Sequence, residues 1–307
     1  MAGIVNTGSY PKALVMGVKA WWGMEEERYP AIHEQIFKTI KSDQSYEEYV
    51  ESVGASFVPQ KMEGQSIQYG SMNQGYTTRI TNLAYALGLI FTHEEISDNR
   101  YPKLLQARTV GLKDSFRETK EIVHANIFNR AFNSSYKGGD GISLCSTAHV
   151  TSTNLTQQNQ PTVSVGLAEK SLEDMMVLAM NAQDNKGFRM RIHPKQLIVT
   201  PSNAFNAHRI TKSVKQSGNA NNDVNANRDM GMLPGGVVVN PYITSPNVWF
   251  LHTNIAPEQG LITQEREALG SLREDNEFDT MNYKVFGYER YAPFWIDWRS
   301  VYGSNAA

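Results

Sequence analysis

Between Pro102 and Asn133 the apolar positions follow a helical rhythm. Leu105, Leu112, Phe116, Val123 and Ile127 fall at spacings of seven, four, seven and four, one stripe on one helix face. The positions between them carry Lys103, Arg108, Lys113, Arg117, Glu118, Lys120 and Glu121. Pro102 suits a first turn, where its missing N–H is not needed, and Asp98 and Asn99 are capping candidates just upstream. A run of about 32 residues rising ~1.5 Å each predicts a rod of about 48 Å, far longer than the mean helix of ~11–12 residues. Gly111 weakens such a rod by up to ~1 kcal/mol relative to Ala and marks a bend or a close approach.

Ahead of the rod the rhythm changes. From Tyr46 to Ile96 two strand-like stretches flank a polar, glycine-punctuated middle, MEGQSIQYGSMNQGY. The second stretch, YTTRITNLAYALGLIF, is rich in Thr, Tyr, Ile and Leu. Pro59 in the first points to an edge position. A lone two-stranded hairpin is marginal in water, so one this long is expected to lie on something else, its own domain or a neighbouring copy. Further upstream, Ile32, Ile36 and Ile40 recur every four residues after Pro30 and predict a short amphipathic helix beside Trp21, Trp22 and Phe37. This region reads either as a core helix or as an arm docking on a neighbour.

Beyond Asn133 the chain turns polar in SSYKGGDGISLCSTAH, and Thr151 to Pro161 reads as a loop. A second helix is expected from Ser171 to Asp184, with capping-box-like spacing of Ser171 and Asp174 and an apolar face of Leu172, Met175, Met176 and Ala179. Short apolar strands are expected near Leu197, Val238 and Phe250. Between the first two lies a long polar loop, Ser217 to Gly236, which in a compact domain is usually functional or mobile. The C-terminal tract NYKVFGYERYAPFWIDWRSVYGS is aromatic and strand-like. Helix and strands together predict an α+β layer.

Composition removes several function classes. The 307 residues are 40% hydrophobic and 20% charged, with a net charge of −2, so the molecule is no polycation seeking nucleic acid. The longest apolar run, Leu83 to Phe91, is too short to span a bilayer as a helix. The N-terminus lacks the basic-then-apolar pattern of a signal peptide, which predicts a protein soluble inside the cell at synthesis. A single cysteine, Cys145, forbids an intramolecular disulfide and leaves no zinc set. Cys145 and His149 are spaced for a nucleophile and base, but Ile142 and Leu144 beside them suggest a buried thiol. The seven histidines are scattered without metal-ligand spacing, and the Gly138–Gly141 cluster lacks the lysine of a phosphate loop, so neither cofactor nor metal is expected. Charge is unevenly placed. Lys186 to Lys215 holds seven Lys/Arg and no acid, whereas Glu258 to Asp279 holds seven acids against Arg266 and Arg273. These two stretches are expected to face one another, within a subunit or across a ring contact.

The series EGQSIQYGSMNQGYTTRIT, THEEISDNRY, the basic rod and DGISLCSTAH resembles major capsid proteins of tailed bacteriophages, most closely the Mu-like major head subunit group. The tracts WFLHT, FDTMNYKVFGYERY and IDWRSVYGS agree, so the resemblance runs from about Tyr46 to Ser304. It implies the Hong Kong 97-like capsid fold, shared with encapsulins. Residues 1–45 would be an N-terminal arm, 46–95 an extended loop over a neighbour, 96–160 a peripheral domain with the rod as spine helix, 161–260 an axial domain, and 261–307 a return to the peripheral domain. The implied function is self-assembly as pentamers and hexamers into an icosahedral head around double-stranded DNA, without sequence-specific binding, with scaffold, portal and decoration proteins as further partners. Assembly would take place in the host cytoplasm. Some relatives carry a long cleaved N-terminal scaffolding segment. About 100 residues precede the rod here, so scaffolding is expected from a separate protein. Candidate contacts between subunits are Trp21 and Trp22 in the arm, Lys61, Glu63, Tyr69 and Arg79 in the extended loop, and Arg189, Arg191, Glu265 and Glu267 in the charged stretches. Lys61 is the one lysine of the extended loop and so the candidate for a covalent cross-link. An encapsulin-like compartment and, more remotely, a cysteine-dependent hydrolase are the alternatives.

Overall fold

The computed structural model describes Trp22 and residues 30–70, 72–92, 102–151, 155–216, 223–276 and 282–306. Trp21, the capping candidates Asp98 and Asn99, and residues 217–222 of the polar loop lie outside the described residues.

Helix α1 (Ile32–Ile36) leads at once into strand β1 (Lys38–Lys41). The four-residue spacing of Ile32, Ile36 and Ile40 therefore spans two elements. Phe37 leaves the helical region at φ −97°, ψ 143°, and Ile40 sits on a strand that runs parallel to β10, opposite Gln264. Strands β2 (Tyr46–Val53) and β3 (Asn73–Thr81) form an antiparallel pair. Pro59 is not in β2 but in the connection between these strands. The stretch expected as one strand breaks at Asn82, whose Nδ2 donates to Ser42 Oγ (3.2 Å) and Gln44 O (2.9 Å). This anchor turns the chain, and β4 (Leu83–Phe91) leaves the hairpin for a different sheet.

Helix α2 (Pro102–Asn129) is the rod, at 28 residues about 42 Å long. It stops short of Asn133. The Asn129 side chain donates to Tyr242 O (3.1 Å), and the following turn accepts the Cys145 N–H at Ala131 O (2.8 Å). The segment expected as a loop holds a short ladder of β5 (His149–Val150) and β6 (Thr156–Gln157). Helix α3 (Glu169–Met180) buries the expected face, Leu172, Met175, Met176 and Ala179, but starts two residues early. Ser171 Oγ accepts the Ala168 N–H (2.9 Å), so Ser171 is inside the first turn rather than at the cap. Asp184 lies beyond the helix and gathers the N–H groups of Lys186 and Phe188, both at 2.8 Å, into a turn.

Then follow β7 (Pro194–Val199), α4 (Ala204–Lys212), α5 (Ala226–Asp229), β8 (Val237–Val239), β9 (Val248–Thr253), β10 (Leu261–Glu267), β11 (Arg273–Asn276), β12 (Tyr283–Trp295) and β13 (Val301–Asn305). They complete two sheets. One has the order β13-β9-β7-β8; in the other β1, β10 and β12 adjoin, and both β11 and β4 pair with β12. The spine joins the two. Its N-terminal half packs Leu112 and Phe116 with Phe91, Tyr283 and Val285 of the larger sheet. Its last turn packs Phe128 with Ile198, Val238 and Phe250 of the smaller one. Gly287 on β12 permits the close seating of the spine, because a Cβ there would lie 2.7 Å from the Phe116 ring. Helices α3 and α4 cover the other face of the smaller sheet, against Leu197, Val199, Trp249, Leu251 and Tyr302.

Candidate assembly surfaces

Residues 54–70, between β2 and β3, are exposed throughout. Phe57 (62%), Val58 (95%), Met62 (63%), Ile67 (67%) and Tyr69 (95%) present apolar area to solvent, and Lys61 and Glu63 are exposed among them. Gly64, at φ 78°, makes the one tight turn of the segment. Phe57 finds a ring of the same chain, stacking on Phe188 at 3.8 Å. Scattered exposed apolar residues are normal, whereas here five large ones fall within one irregular segment.

The base of the hairpin is different, for it rests on its own protomer. The Tyr76 hydroxyl donates to Val150 O, and Thr78 is buried. Arg79 is exposed and lies over the Tyr46 ring at 3.7 Å. A cleft of about 670 Å³ separates the hairpin from the body, lined by Tyr49, Glu51, Tyr76, Asp140, Asp184 and Arg299 among others. Burial pushes the Glu51 carboxyl above its ordinary range, against the Asn185 hydrogen bond that lowers it. The segment expected to lie over a neighbour thus rests in large part on its own protomer. β4 pairs with β12 over its whole length, Leu83 with Tyr291 through to Phe91 with Tyr283.

The arm also has a seat on its own chain. Trp22 is buried, edge-on to Phe116, and its Nε1–H donates to Gly270 O at 2.9 Å. Lys113 Nζ donates to the Trp22 carbonyl at the same distance. Farther along the spine the Glu121 carboxylate accepts the N–H groups of Ile32 (2.9 Å) and His33 (3.2 Å) and faces His33 Nδ1 at 2.7 Å. One spine carboxylate thereby holds the start of α1 and its side chain. Beside it, His124 Nδ1–H donates to Lys120 O (2.6 Å) and Nε2 accepts from the Thr263 hydroxyl (2.7 Å). Burial, then the neighbouring His33, depress His124 to about 3, so it is neutral at pH 7. Lys120 reaches Glu265 at 3.3 Å and Glu289 at 3.7 Å. The sequence expected an apolar seam here, yet Val123 and Ile127 are only half-buried, while Thr109, Glu121 and His124 occupy the buried side. No local signal marks these pairs, since His33 and Glu121 stand 88 residues apart.

The charged stretches are placed as follows. Arg189 and Arg191 are exposed, and Arg189 donates to the Asn181 side chain. Glu265 pairs with Lys120, and Glu267 with Arg273. The nucleophile reading fails on geometry. Cys145 is 1% exposed in the core under the spine, and burial raises its thiol far above the range of a reactive cysteine. The His149 ring nitrogens have other partners, Nδ1 at 2.6 Å from Asp140 and Nε2 at 3.1 Å from Asn159, and its ring stacks on Trp298. Asn159, missed at sequence level, is a buried knot whose amide donates to the carbonyls of Leu144, Trp298 and Val301. Among the described residues no group of His, Cys, Asp and Glu is arranged to hold a metal ion, and no helix is long and apolar enough to cross a membrane.

The architecture is that of known capsids. The chain superposes on the capsid of the cyanophage P-SCSP1u with a TM-score of 0.60, at 12% identity, covering 92% of this chain and 90% of that one. The mature capsid of bacteriophage PhiM1 gives 0.55 at 10% identity, covering 99% and 90%. The capsid of an empty GTA particle gives 0.53 at 10% identity, covering 91% and 90%. At such identities the likeness establishes the fold, which is Hong Kong 97-like. No curated protein matches the sequence. Residues 75–304 match the family described as phage capsid protein. The chain is accordingly a structural shell protein of a virion, built to assemble with copies of itself rather than to catalyse, and it belongs to the phage capsid protein family.

Proposed function

We propose that this protein is the major head subunit of a tailed phage of the Mu-like group, and that pentamers and hexamers of it close an icosahedral shell around double-stranded DNA. The observation that carries this reading is the exposed apolar tip at residues 54–70 above a well-anchored base. Within the family fold, the tip is the extended loop that covers a neighbouring copy. Residues 1–45 serve as the arm, 96–160 with 261–307 as the peripheral domain, and 161–260 as the axial domain. Lys61, Glu63 and Tyr69 then contact the neighbour. A standard specific interface buries ~1,600 Å²; tip and arm add to it, and repetition over the shell multiplies weak contacts into a stable whole. A net charge of −2 suits a lumen that must release its genome, since a cationic wall would retain DNA. A separate scaffold, a portal and decoration proteins complete the head, which assembles in the host cytoplasm.

Negative-stain microscopy of the purified protein tests this. Closed, uniform particles containing nucleic acid when isolated from infected cells are expected. A monomer at high concentration, with the tip folded onto its own body, overturns the reading, and particles loaded with a protein cargo instead of a genome turn it into an encapsulin-like compartment.

A further inference from the structure

The larger sheet has three edge strands, and two of them are blunted by shortness and charge. Strand β1 has four residues and carries Lys38 and Lys41. Strand β11 has four and carries Arg273, Glu274 and Asp275. Strand β4 has neither protection. Its nine residues, LAYALGLIF, hold no charge and no proline, and its register with β12 runs without a bulge from Leu83 opposite Tyr291 to Phe91 opposite Tyr283. Strands β10 and β11 take one edge of β12 and β4 takes the other. Among the described residues no strand pairs with the far edge of β4. In an antiparallel ladder every second residue spends its N–H and C=O on a given neighbour, so about half of β4 directs both groups outward. The side chains are open as well. Leu83 (56%), Leu87 (51%) and Ile90 (59%) are exposed, and so are Ala84, Ala86 and Gly88.

An edge of this kind is a template for another strand. The residues suit the same edge of a second copy. A strand without charge opposes itself without repulsion. Set antiparallel about a two-fold axis through Leu87, Leu83 lies opposite Phe91, Ala84 opposite Ile90, Tyr85 opposite Leu89 and Ala86 opposite Gly88. Each of these pairs joins two odd or two even positions. Whichever set directs its backbone groups outward, the ladder therefore closes. On the face away from the spine the large Ile90 meets the small Ala84. On the spine face Leu83 and Leu87 share the side of Tyr85, Leu89 and Phe91, and the two copies make one apolar strip along the joined edges. A shell made of rings must also join ring to ring. Where two rings abut about a two-fold axis, the contact uses the same patch of both subunits.

We propose that β4 of one copy pairs antiparallel with β4 of a copy in the adjoining ring, so that two larger sheets become one across a two-fold axis. This rests on the shell reading above and names a contact between rings.

Two experiments on the full chain test the contact. Leu87→Cys places one thiol on the axis, and oxidation of assembled particles is expected to give a covalent dimer, and nothing larger, on a non-reducing denaturing gel. The parent is expected to stay monomeric on that gel, because Cys145 is buried. Ala84→Cys alone sets the two thiols about 20 Å apart, three residues either side of the axis at ~3.4 Å each, and is expected to give no dimer. Adding Ile90→Cys is expected to give one. The second experiment uses charge. Ala84→Glu with Ile90→Glu puts each new carboxylate beside a cation of its own β12, Arg290 and Lys284, so the protomer is expected to melt like the parent. Across the contact the carboxylates stand directly opposite one another twice, and particle yield is expected to fall at least about tenfold. Ala84→Glu with Ile90→Lys makes those pairs complementary and is expected to assemble like the parent. Leu87→Cys particles that give no dimer, a dimer from Ala84→Cys alone, or equal yields from the two charged variants overturn this contact and leave the shell reading standing. An unmodified chain that never assembles overturns both.

Discussion

At the scale of single residues, Trp22 ties the arm to the spine. Trp22 fills a pocket on the spine and makes one hydrogen bond to Gly270. Trp22→Ala is expected to destabilise the protomer by about 3 kcal/mol, the usual cost of emptying a site of this size, as read by urea unfolding. A loss near zero would mean that the side chain is not seated there in solution. The buried imidazole of His124 gives a pH dependence whose sign follows from its depressed affinity for protons. From its ordinary value of 6.5 down to about 3, the unfolded chain binds this proton and the folded chain does not. Stability is therefore undiminished above pH 6.5 and declines as the pH falls towards 3. His252, depressed by burial to about 4, acts in the same sense, whereas Glu289, raised by burial, acts in the opposite one. Unfolding free energies of the parent and of His124→Gln are expected to converge by a few kcal/mol between neutral and about pH 4. Parallel curves would remove the assignment.

At the scale of elements, the seating of the spine on the larger sheet depends on a missing side chain. Gly287→Ala places a methyl group against the Phe116 ring, a clash expected to cost about 1–3 kcal/mol. Adding Phe116→Leu is expected to return part of that loss, which a double-mutant cycle would detect as non-additivity. Independent effects would show that the spine is not seated there. Patterning located the spine well because a long amphipathic run is the strongest local signal there is. Its precise buried side was less legible. A stripe of Leu and Ile is visible in a sequence, but Glu121 and His124 sit in the core with Ile32, His33 and Thr263 among their partners, and those residues come from far along the chain. The same cause explains β4. It reads as the continuation of β3 until Asn82 fastens the turn to Ser42 and Gln44 and sends the strand to β12.

At the scale of the whole molecule, tip and body separate in their roles. Replacing residues 56–69 by a short Gly/Ser linker is expected to change protomer stability by no more than about 0.5 kcal/mol, because the segment is exposed, while abolishing particles in sedimentation. Particle yield like that of the parent would refute a role for the tip in assembly. The cysteine at position 145 gives a further check, for a core thiol is expected to react with maleimide only on unfolding.

What the sequence determined by itself is whatever depends on near neighbours: the long helix, the apolar face of α3, the strands around Leu197, Val238 and Phe250, the lack of metal-ligand spacing, and an ordered run of motifs that resembles a capsid. These are periodicities and spacings, and a helix or strand imposes them within a few residues. The tertiary structure alone decided which half of the hairpin belongs to its own sheet, why charged groups lie under the spine, that His149 is taken up by Asp140 and Asn159 while Cys145 is buried, and which acids are already paired. Each of those is a meeting of residues distant in the chain, and the free energy of such meetings comes from burial and from partners that no local pattern records.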